Sequence, residues 1–343
     1  MDQLTIIRPD DWHLHLRDGA MLQAVLPDTA RQFARAIVMP NLKPPVTTVA
    51  QAAAYRERIL AALPPALDFT PLMTLYLTDN TTTDEIERAA DSEFVHAVKY
   101  YPAGATTNSD NGVTDLGHVQ AVLEAMQKHD LPLLLHGEVT AAEIDVFDRE
   151  AVFIERHLQR LTHDFPALRM VLEHVTTADA VQFVEAAGAH VAATITAHHL
   201  LLNRNAMFAG GLRPHHYCLP LIKREQHRQA LVAAAVGGNP KFFLGTDSAP
   251  HTRTAKESDC GCAGIYSARA AIELYAEVFA DNNALQRLEG FASCHGPDFY
   301  RLPRNTSTIH LRRECWQMPP VLEAAGEQIV PLRAGTTMQW RLD

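Results

Sequence analysis

The chain has few cysteines, no long apolar run and no cluster of basic residues. Its five cysteines show no disulfide-framework spacing, which favours a reducing compartment, the cytoplasm. No apolar run approaches the ~18 residues that a membrane-spanning helix needs, and the N-terminus has neither the basic region nor the apolar core of a signal peptide. Because the net charge is −10 and lysine–arginine runs are missing, nucleic acids and membranes are not expected partners.

The chain has instead the composition of a globular protein, with 47% hydrophobic and 20% charged residues among its 343. Apolar runs alternate with helical patterns, which indicates parallel βαβ units. The apolar runs are 4–16, 34–41, 68–78, 93–101, 131–138, 168–175, 190–200 and 241–250. The helical patterns are 50–63, 84–90, 117–130 and 177–188. Eight units predict an α/β fold, a (β/α)8 or TIM barrel. We expect one domain over 1–343, with residues from about 304 to 343 forming a C-terminal extension packed on the barrel.

The stretch DWHLHLRDG (11–19) places two histidines one residue apart. On a strand, His13 and His15 would project from the same face, with Arg17 in the same row. Two imidazoles on one face can bind one metal ion. With 18 histidines in the chain, chance alone produces about one such pattern, so the motif needs support from other residues.

That support comes from polar residues at the ends of other apolar runs. The carboxyl ends of the strands form the active-site rim of a TIM barrel. The residues at these ends are Asn41, Lys99, His136, His174 and Asp247. From His13 to Asp247, the histidines, lysine and aspartate are separated by nearly whole numbers of βα units. Any one of these residues alone would more often be a buried polar residue with ordinary hydrogen bonds. Because their spacing places all of them at the same rim of the barrel, together they predict a metal site.

Lys99 ends a strand, where an unpaired ammonium group is costly. It could pair with a carboxylate, or burial could keep the amine neutral so that it adds carbon dioxide and becomes a carbamate. A carbamate has two oxygens and a negative charge, so it can bridge two metal ions. Together with four histidines and one aspartate, it would suffice for two zinc ions ~3.5–4 Å apart that share a hydroxide.

Seven motifs in order resemble those of the amidohydrolase superfamily and, within it, of the dihydroorotase family in its shorter bacterial form, a stand-alone homodimer. They are DWHLHLRDG, MPNLKPP, VKYYPAGATTNS, LLLHGE, VLEHVTT, GTDSAPH and CGCAG. The resemblance extends from about residue 4 to 335. It implies a zinc-dependent cyclic amidohydrolase that interconverts N-carbamoyl-L-aspartate and (S)-dihydroorotate in pyrimidine synthesis.

The resemblance also implies a role for each motif residue. His13 and His15 would bind the more buried of two Zn²⁺ ions, and His136 and His174 the other. Lys99, as N6-carboxylysine, would bridge the ions beside a hydroxide that acts as the nucleophile. Asp247 would be a metal ligand and the general base and acid. The implied substrate-binding residues are Arg17, Asn41, Thr106, Thr107, His136, Leu219, His251 and Ala263.

Other polar segments are expected to play smaller parts. The loop 104–112 lies on the catalytic rim and would close over substrate. Cys260 and Cys262 are expected to be loop thiols, because their spacing differs from that of common zinc sites. The adjacent pairs His198–His199 and His215–His216 would point to opposite faces of a strand and are interpreted as structural.

Three rival functions fit part of this pattern. A dihydropyrimidinase or hydantoinase would share the metal ligands but not the carboxylate cradle of Arg17, Asn41 and His251. A non-catalytic barrel that serves as a scaffold would lack ligands, and none is missing. A deaminase-type site with a single metal ion would not need Lys99.

Overall fold

The computed structural model describes residues 2–343. Its strands are β1 Gln3–Ile7, β2 Asp10–Leu14, β3 Arg35–Val38, β4 Thr70–Tyr76, β5 Val95–Tyr100, β6 Leu133–Leu135, β7 Met170–Leu172, β8 Val191–Ile195, β9 Phe242–Leu244, β10 Thr308–Arg312, β11 Trp316–Gln317, β12 Leu322–Ala324, β13 Glu327–Ile329, β14 Thr337–Met338 and β15 Arg341–Leu342. Within this range, β2 to β9 form one parallel sheet of eight strands in chain order. A parallel bridge between Leu14 and Ser248 brings its two edges together. The TIM barrel prediction is therefore confirmed.

Helices cover the outside of the barrel and connect its strands. They are α1 Gly19–Ala30, α2 Val49–Ala62, α3 Thr83–Ala90, α4 Gln120–Lys128, α5 Arg149–Phe153, α6 Gln159–Asp164, α7 Ala178–Ala186, α8 Ala197–Leu201, α9 Glu225–Gly237, α10 Arg253–Lys256, α11 Ala271–Asp281 and α12 His295–Tyr300. Several begin at a threonine whose hydroxyl accepts from the first turn, as Thr48, Thr82 and Thr177 do. Within residues 2–343, no helix combines the length and apolar character needed to cross a bilayer.

The first apolar run forms two strands, and its prediction as one strand is wrong. β1 leaves the barrel and pairs antiparallel with β10, whereas β2 enters the barrel beside β3. Pro9 lies between them and has no backbone N–H to donate to a ladder. The chain therefore changes sheets at this proline.

The segment after the last barrel helix returns to the N-terminus of the chain. β10 lies between β1 and β15 in a small antiparallel sheet, and β12 and β13 form a hairpin. Because β1 is part of this sheet, we propose that the whole chain forms one domain.

The barrel interior is apolar at one end and polar at the other. A cluster around Trp12, Ala97, Phe243 and Tyr300 fills the lower end, where Trp12 and Tyr300 stack with ring centroids 4.4 Å apart. Side chains two residues apart on a strand point to the same side, so Lys99 follows Ala97 into the interior. The polar side chains therefore gather at the carboxyl ends of the strands.

Candidate active site

Three ligand atoms meet where β2 and β9 end. The Nε2 atoms of His13 and His15 are 3.3 Å apart. Asp247 Oδ1 lies 3.3 Å from the first of these nitrogens and 3.1 Å from the second. Ligands about 2.0–2.1 Å from one tetrahedral zinc ion are separated by about 3.3–3.4 Å. The triangle therefore matches the coordination of one divalent ion.

Hydrogen-bond partners fix the proton positions on His13 and His15. His13 Nδ1 lies 2.5 Å from Glu173 Oε2, and His15 Nδ1 lies 2.9 Å from Asn41 Oδ1. A carboxylate and an amide oxygen accept hydrogen bonds, so each Nδ1 carries the proton and donates it. The lone pair of each Nε2 then faces Asp247, an arrangement typical of metal-binding histidines.

His136 and His174 follow β6 and β7 on the same rim. The ring centroid of His174 is 4.9 Å from that of His136 and 4.9 Å from that of His13. His136 Nε2 donates to Glu138 Oε2 at 2.8 Å, which leaves its Nδ1 free to bind a cation. His174 Nδ1 is buried and has no hydrogen-bond partner within residues 2–343. Burial lowers the pKa of both imidazoles, so they have the neutral form that a metal requires.

Lys99 lies fully buried in β5, between these groups. Among the residues that the structure describes, its Nζ has no hydrogen-bond partner and no carboxylate within ion-pair distance. The nitrogen lies 5.1 Å from the centroid of the Tyr101 ring. Burial lowers the pKa of Lys99 to about 8, although the charges of Glu173 and Asp247 act in the opposite direction. At pH 7 roughly a tenth of this amine is therefore uncharged, far more than for an exposed lysine, and the neutral form is the one that adds carbon dioxide.

Three residues of the rim have a left-handed backbone. The φ angles of Arg17, His174 and Asp247 are 58°, 42° and 45°, a region that costs non-glycine residues on the order of 1–3 kcal/mol. Since β2 ends at Leu14, the prediction that Arg17 continues the strand row of His13 and His15 is wrong. Its side chain reaches the same pocket from the turn that follows the strand.

Arg17 and His251 lie together at the edge of the pocket. Arg17 Nε donates to the Pro250 carbonyl at 3.1 Å. Arg17 Nη2 lies 2.9 Å from His251 Nε2, which is also 2.9 Å from the Ala263 carbonyl oxygen. Burial and the charge of Arg17 lower the pKa of His251 to about 2, so this imidazole is neutral. Within residues 2–343, Arg17 Nη1 makes no hydrogen bond, which leaves a donor for a substrate carboxylate.

The pocket joins nearly all of the residues that the sequence suggests. Its lining consists of His13, His15, Arg17, Asn41, Tyr101, Thr106, Thr107, His136, His174, Leu219, Asp247, Ala249, Ala263 and Gly264. The loop that carries Thr106 and Thr107 lies over this pocket: Thr107 Oγ1 donates to the Ala263 carbonyl at 3.3 Å, and Asn41 Nδ2 donates to the Thr107 carbonyl at 3.1 Å. Lys99 lies beneath the lining, and His251 lies behind Arg17.

Sequence reasoning missed the residues that support the pocket. Glu173 and Glu138 orient the histidines. Both lie within the quoted motifs VLEHVTT and LLLHGE, but the sequence analysis assigned a role only to the histidines of those motifs. Lys256 is buried, and its Nζ donates to the carbonyls of Tyr217, Cys262 and Gly264, each at 2.7 Å. This ammonium group therefore joins two segments of the pocket wall.

The remaining histidines and cysteines differ partly from expectation. His198 and His199 lie in the short helix α8 rather than on a strand, and their ring centroids are 4.5 Å apart. The expectation that the pair points to opposite faces is therefore wrong, because the strand ends at Ile195. Cys260 is exposed and Cys262 partly exposed. Neither belongs to a potential metal-binding group among residues 2–343.

The largest cavity of those described for residues 2–343 lies away from these residues. Its volume is about 940 Å³, and it is lined by residues at the end of α8, on α9 and on α11, including Glu225 and Arg228. Those two side chains pair with each other at 2.6 Å, so the cavity presents a satisfied ion pair rather than converging ligands. The candidate metal ligands line the smaller pocket at the barrel rim instead.

Comparisons with known proteins agree with this geometry. Residues 5–313 match the model of the amidohydrolase family. The dihydroorotase of Methylobacillus flagellatus is 67% identical over 339 residues, which cover 99% of this chain and 98% of that protein.

Solved structures give the same result. The dihydroorotase of Saccharomyces cerevisiae, in complex with 5-fluoroorotic acid, is 36% identical with a TM-score of 0.92 and covers 100% of this chain and 99% of its own. The dihydroorotase of Campylobacter jejuni is 35% identical with a TM-score of 0.92, and the match covers 100% of this chain and 98% of that one.

Proposed function

Because the chain belongs to the dihydroorotases of the amidohydrolase family, we propose how the residues of its barrel rim carry out the reaction. The reaction is the reversible interconversion of N-carbamoyl-L-aspartate and (S)-dihydroorotate in pyrimidine synthesis. One arrangement carries the assignment: the triangle of His13, His15 and Asp247 lies near a buried, unpaired Lys99 amine.

The enzymes of this group depend on metal ions, and the donor atoms of the rim suit two divalent ions, which we assign as Zn²⁺. His13, His15 and Asp247 would hold one ion, and His136 and His174 the other. Carboxylated Lys99 would bridge them, since a bare amine has a single lone pair. When bound, the two ions would supply a polarised substrate carbonyl and an activated hydroxide. The unpartnered nitrogens of His174 and Lys99 support this assignment, because buried polar atoms are nearly always paired.

Asp247 is placed to move the proton of the reaction. Burial alone would raise its pKa, but the charge of His13 and the hydrogen bonds of His13 and His15 hold the pKa well below the ordinary value. The group is therefore a carboxylate that can act as a base. In ring opening it accepts the proton of the attacking hydroxide and passes it to the ring nitrogen as the C–N bond breaks. In ring closure it takes the proton of the ureido nitrogen as the C–N bond forms and delivers it to the carboxylate oxygen that leaves as hydroxide.

Substrate selection rests on the carboxylate that dihydroorotate carries and that dihydrouracil and hydantoin lack. The planar guanidinium of Arg17 suits this group, and Asn41 and His251 complete its cradle. Leu219 and Ala263 present backbone groups to the pyrimidine ring. The loop 104–112, which carries Thr106 and Thr107, acts as a lid that excludes water.

Replacing Arg17 by alanine is expected to lower kcat/KM for dihydroorotate by about a hundredfold, because the charged hydrogen bonds to its carboxylate are lost. Steady-state kinetics and metal analysis on the same preparation provide the measurement. Metal content is expected to stay unchanged, since the Arg17 guanidinium contacts His251 and the Pro250 carbonyl and none of the proposed metal ligands. Arg88→Ala, at a surface ion pair, serves as the matched control. Near-normal kinetics of the Arg17 variant would remove this residue from the site.

The equilibrium between the two substrates is expected to depend on pH. Ring opening creates a carboxyl group with an ordinary pKa near 4, which releases its proton at neutral pH. The ratio of open to closed form should therefore rise about tenfold per pH unit between pH 6 and 8. Incubation with the enzyme from both directions, followed by chromatography, measures the ratio. A ratio that stays flat over this range would contradict the assigned reaction.

Parallel assays with dihydroorotate, dihydrouracil and hydantoin test the proposed selectivity. Turnover of dihydroorotate alone supports the Arg17 cradle, whereas comparable turnover of all three favours a dihydropyrimidinase or hydantoinase. Metal analysis separates the proposed enzyme from a scaffold and from a deaminase-type site. A scaffold would hold no stoichiometric metal at the rim, and a deaminase-type site would hold one ion there.

We further propose that the chain acts as a homodimer in the cytoplasm. Five cysteines without a disulfide framework support the compartment. Sedimentation of the purified protein would test the dimer.

A further inference from the structure

A second group of metal-binding side chains lies in the wall behind the active-site pocket. It consists of His198 and His199, in helix α8, and Cys218, which lies in the segment before Leu219. One ligand atom from each residue lies within 4.8 Å of the others, and all three residues are buried. Imidazole nitrogen and thiolate sulfur are ligands that zinc and its neighbouring transition metals prefer.

His198 lacks the partners that a buried imidazole normally has. The residue is 0% exposed, and neither of its ring nitrogens has a hydrogen-bond partner in the described chain, residues 2–343. Burial lowers its pKa to about 4, so the ring is neutral and offers a lone pair. A buried polar group without a partner costs about 1–3 kcal/mol. A bound cation would remove that cost at the nitrogen that faces the other two ligands.

His199 and Cys218 have a geometry that is close to that of ligands of one ion. His199 Nε2 and Cys218 Sγ are 3.8 Å apart, whereas nitrogen and sulfur ligands of one tetrahedral zinc ion are separated by about 3.5 Å. The Pro220 carbonyl oxygen lies 3.1 Å from the nitrogen and 3.4 Å from the sulfur, in a position to serve as a fourth ligand. Thr196 Oγ1 lies 2.8 Å from His199 Nδ1 and can accept its proton in a hydrogen bond, a support typical of metal-binding histidines.

We propose that His198, His199 and Cys218 bind a further divalent transition-metal ion of the zinc type, separate from the ions of the rim. On binding, the thiol releases its proton to solvent as the metal–sulfur bond forms, and His199 carries its proton on Nδ1 rather than Nε2. Without an ion, burial raises the pKa of the Cys218 thiol to about 12, and this thiol stays protonated. Because Cys218 precedes Leu219, the ion would fix one wall of the substrate pocket.

Cobalt substitution tests this site independently of the dihydroorotase reaction. The full chain is produced in medium containing Co²⁺, because the cluster is too deeply buried for simple soaking. Thiolate bound to Co²⁺ gives a charge-transfer band in the near ultraviolet, and the donors of the rim include no thiol. We expect this band in the unsubstituted protein, together with three metal ions per chain rather than the two of the rim alone.

Substitutions test whether the charge-transfer band comes from Cys218. Cys218→Ser is expected to abolish the band and remove one metal ion, whereas Cys260→Ser and Cys262→Ser, at exposed or partly exposed thiols, should retain both. If Cys218→Ser does not fold, His198→Asn gives the same test, with loss of the band and of one ion expected. A folded original protein without the band, or a band that survives Cys218→Ser or His198→Asn, would overturn the proposal. Failure of the rim assignment would change turnover but leave the band.

Discussion

Replacing Lys99 by methionine is expected to lower kcat/KM by about a thousandfold or more and to remove at least one metal ion per chain. Methionine fills a similar volume but cannot become a carbamate, so the proposed bridge between the ions is lost. A bridging ligand stabilises both ions and the charge that develops between them, and a thousandfold corresponds to about 4 kcal/mol. Steady-state kinetics combined with metal analysis provide the measurement.

Two controls make this result specific to the amine. Lys223→Met removes another buried lysine, one that donates to the Leu221 carbonyl and lies outside the pocket lining, and it should retain the metal ions. Lys99→Ala leaves a space beside the ions, so added propionate should restore part of the activity by supplying a carboxylate. Lys99→Met with normal turnover and two rim ions would rule out the bridge.

The pKa of Lys99 adds a pH dependence to this prediction. Burial lowers it to about 8, so the neutral amine that adds carbon dioxide becomes more abundant between pH 7 and 9. In metal-free protein with a constant concentration of dissolved carbon dioxide, carboxylation should therefore increase over this range. Carbon-13 NMR with labelled bicarbonate measures the carbamate signal.

Replacing Asp247 by asparagine is expected to lower kcat by about a thousandfold to ten-thousandfold, because the proton-transfer step loses its base. Asparagine keeps the size of the side chain and one oxygen near His13 and His15, so the pocket should keep its shape. In the unsubstituted protein, activity depends on the carboxylate and falls as pH falls through the pKa of this group, which lies well below the ordinary value of an aspartate. The variant should lack that acidic limb in its pH–rate profile.

The control for this variant is Asp164→Asn, which removes a carboxylate from a surface ion pair with Arg160. This control should change kcat little, and its pH–rate profile should keep the acidic limb. An Asp247→Asn protein that keeps an acidic limb with the original midpoint would show that another group is the base.

The fold and the rim residues could be predicted because both leave periodic traces in the sequence. Strands buried on both faces are continuous apolar runs, and residues such as His136 and His174 stand where those runs end. The split at Pro9 escapes sequence reasoning because residues 8–11, RPDD, do not show by themselves that the strands before and after them enter different sheets, although the proline removes a ladder donor. The supporting groups depend on contacts between distant segments, such as Glu173 with His13, and no local pattern records such contacts.

His198 and His199 are a second case in which the local sequence pattern does not determine the structure. The run 190–200 mixes apolar residues with threonines and histidines over only eleven positions, so its pattern does not separate a strand from the start of a helix. The structure ends the strand at Ile195, and the Thr196 side chain accepts from His199 N to start α8. Whether these imidazoles meet Cys218 depends on the path of the chain after α8.

The pairing of β1 with β10 has a consequence for synthesis of the chain on the ribosome. β1 is made first, but its partner begins at Thr308, so its edge stays open until translation is almost complete. An open strand edge is a template for unwanted association. Ribosome-bound nascent chains that stop before β10 should therefore self-associate more readily than released full-length protein.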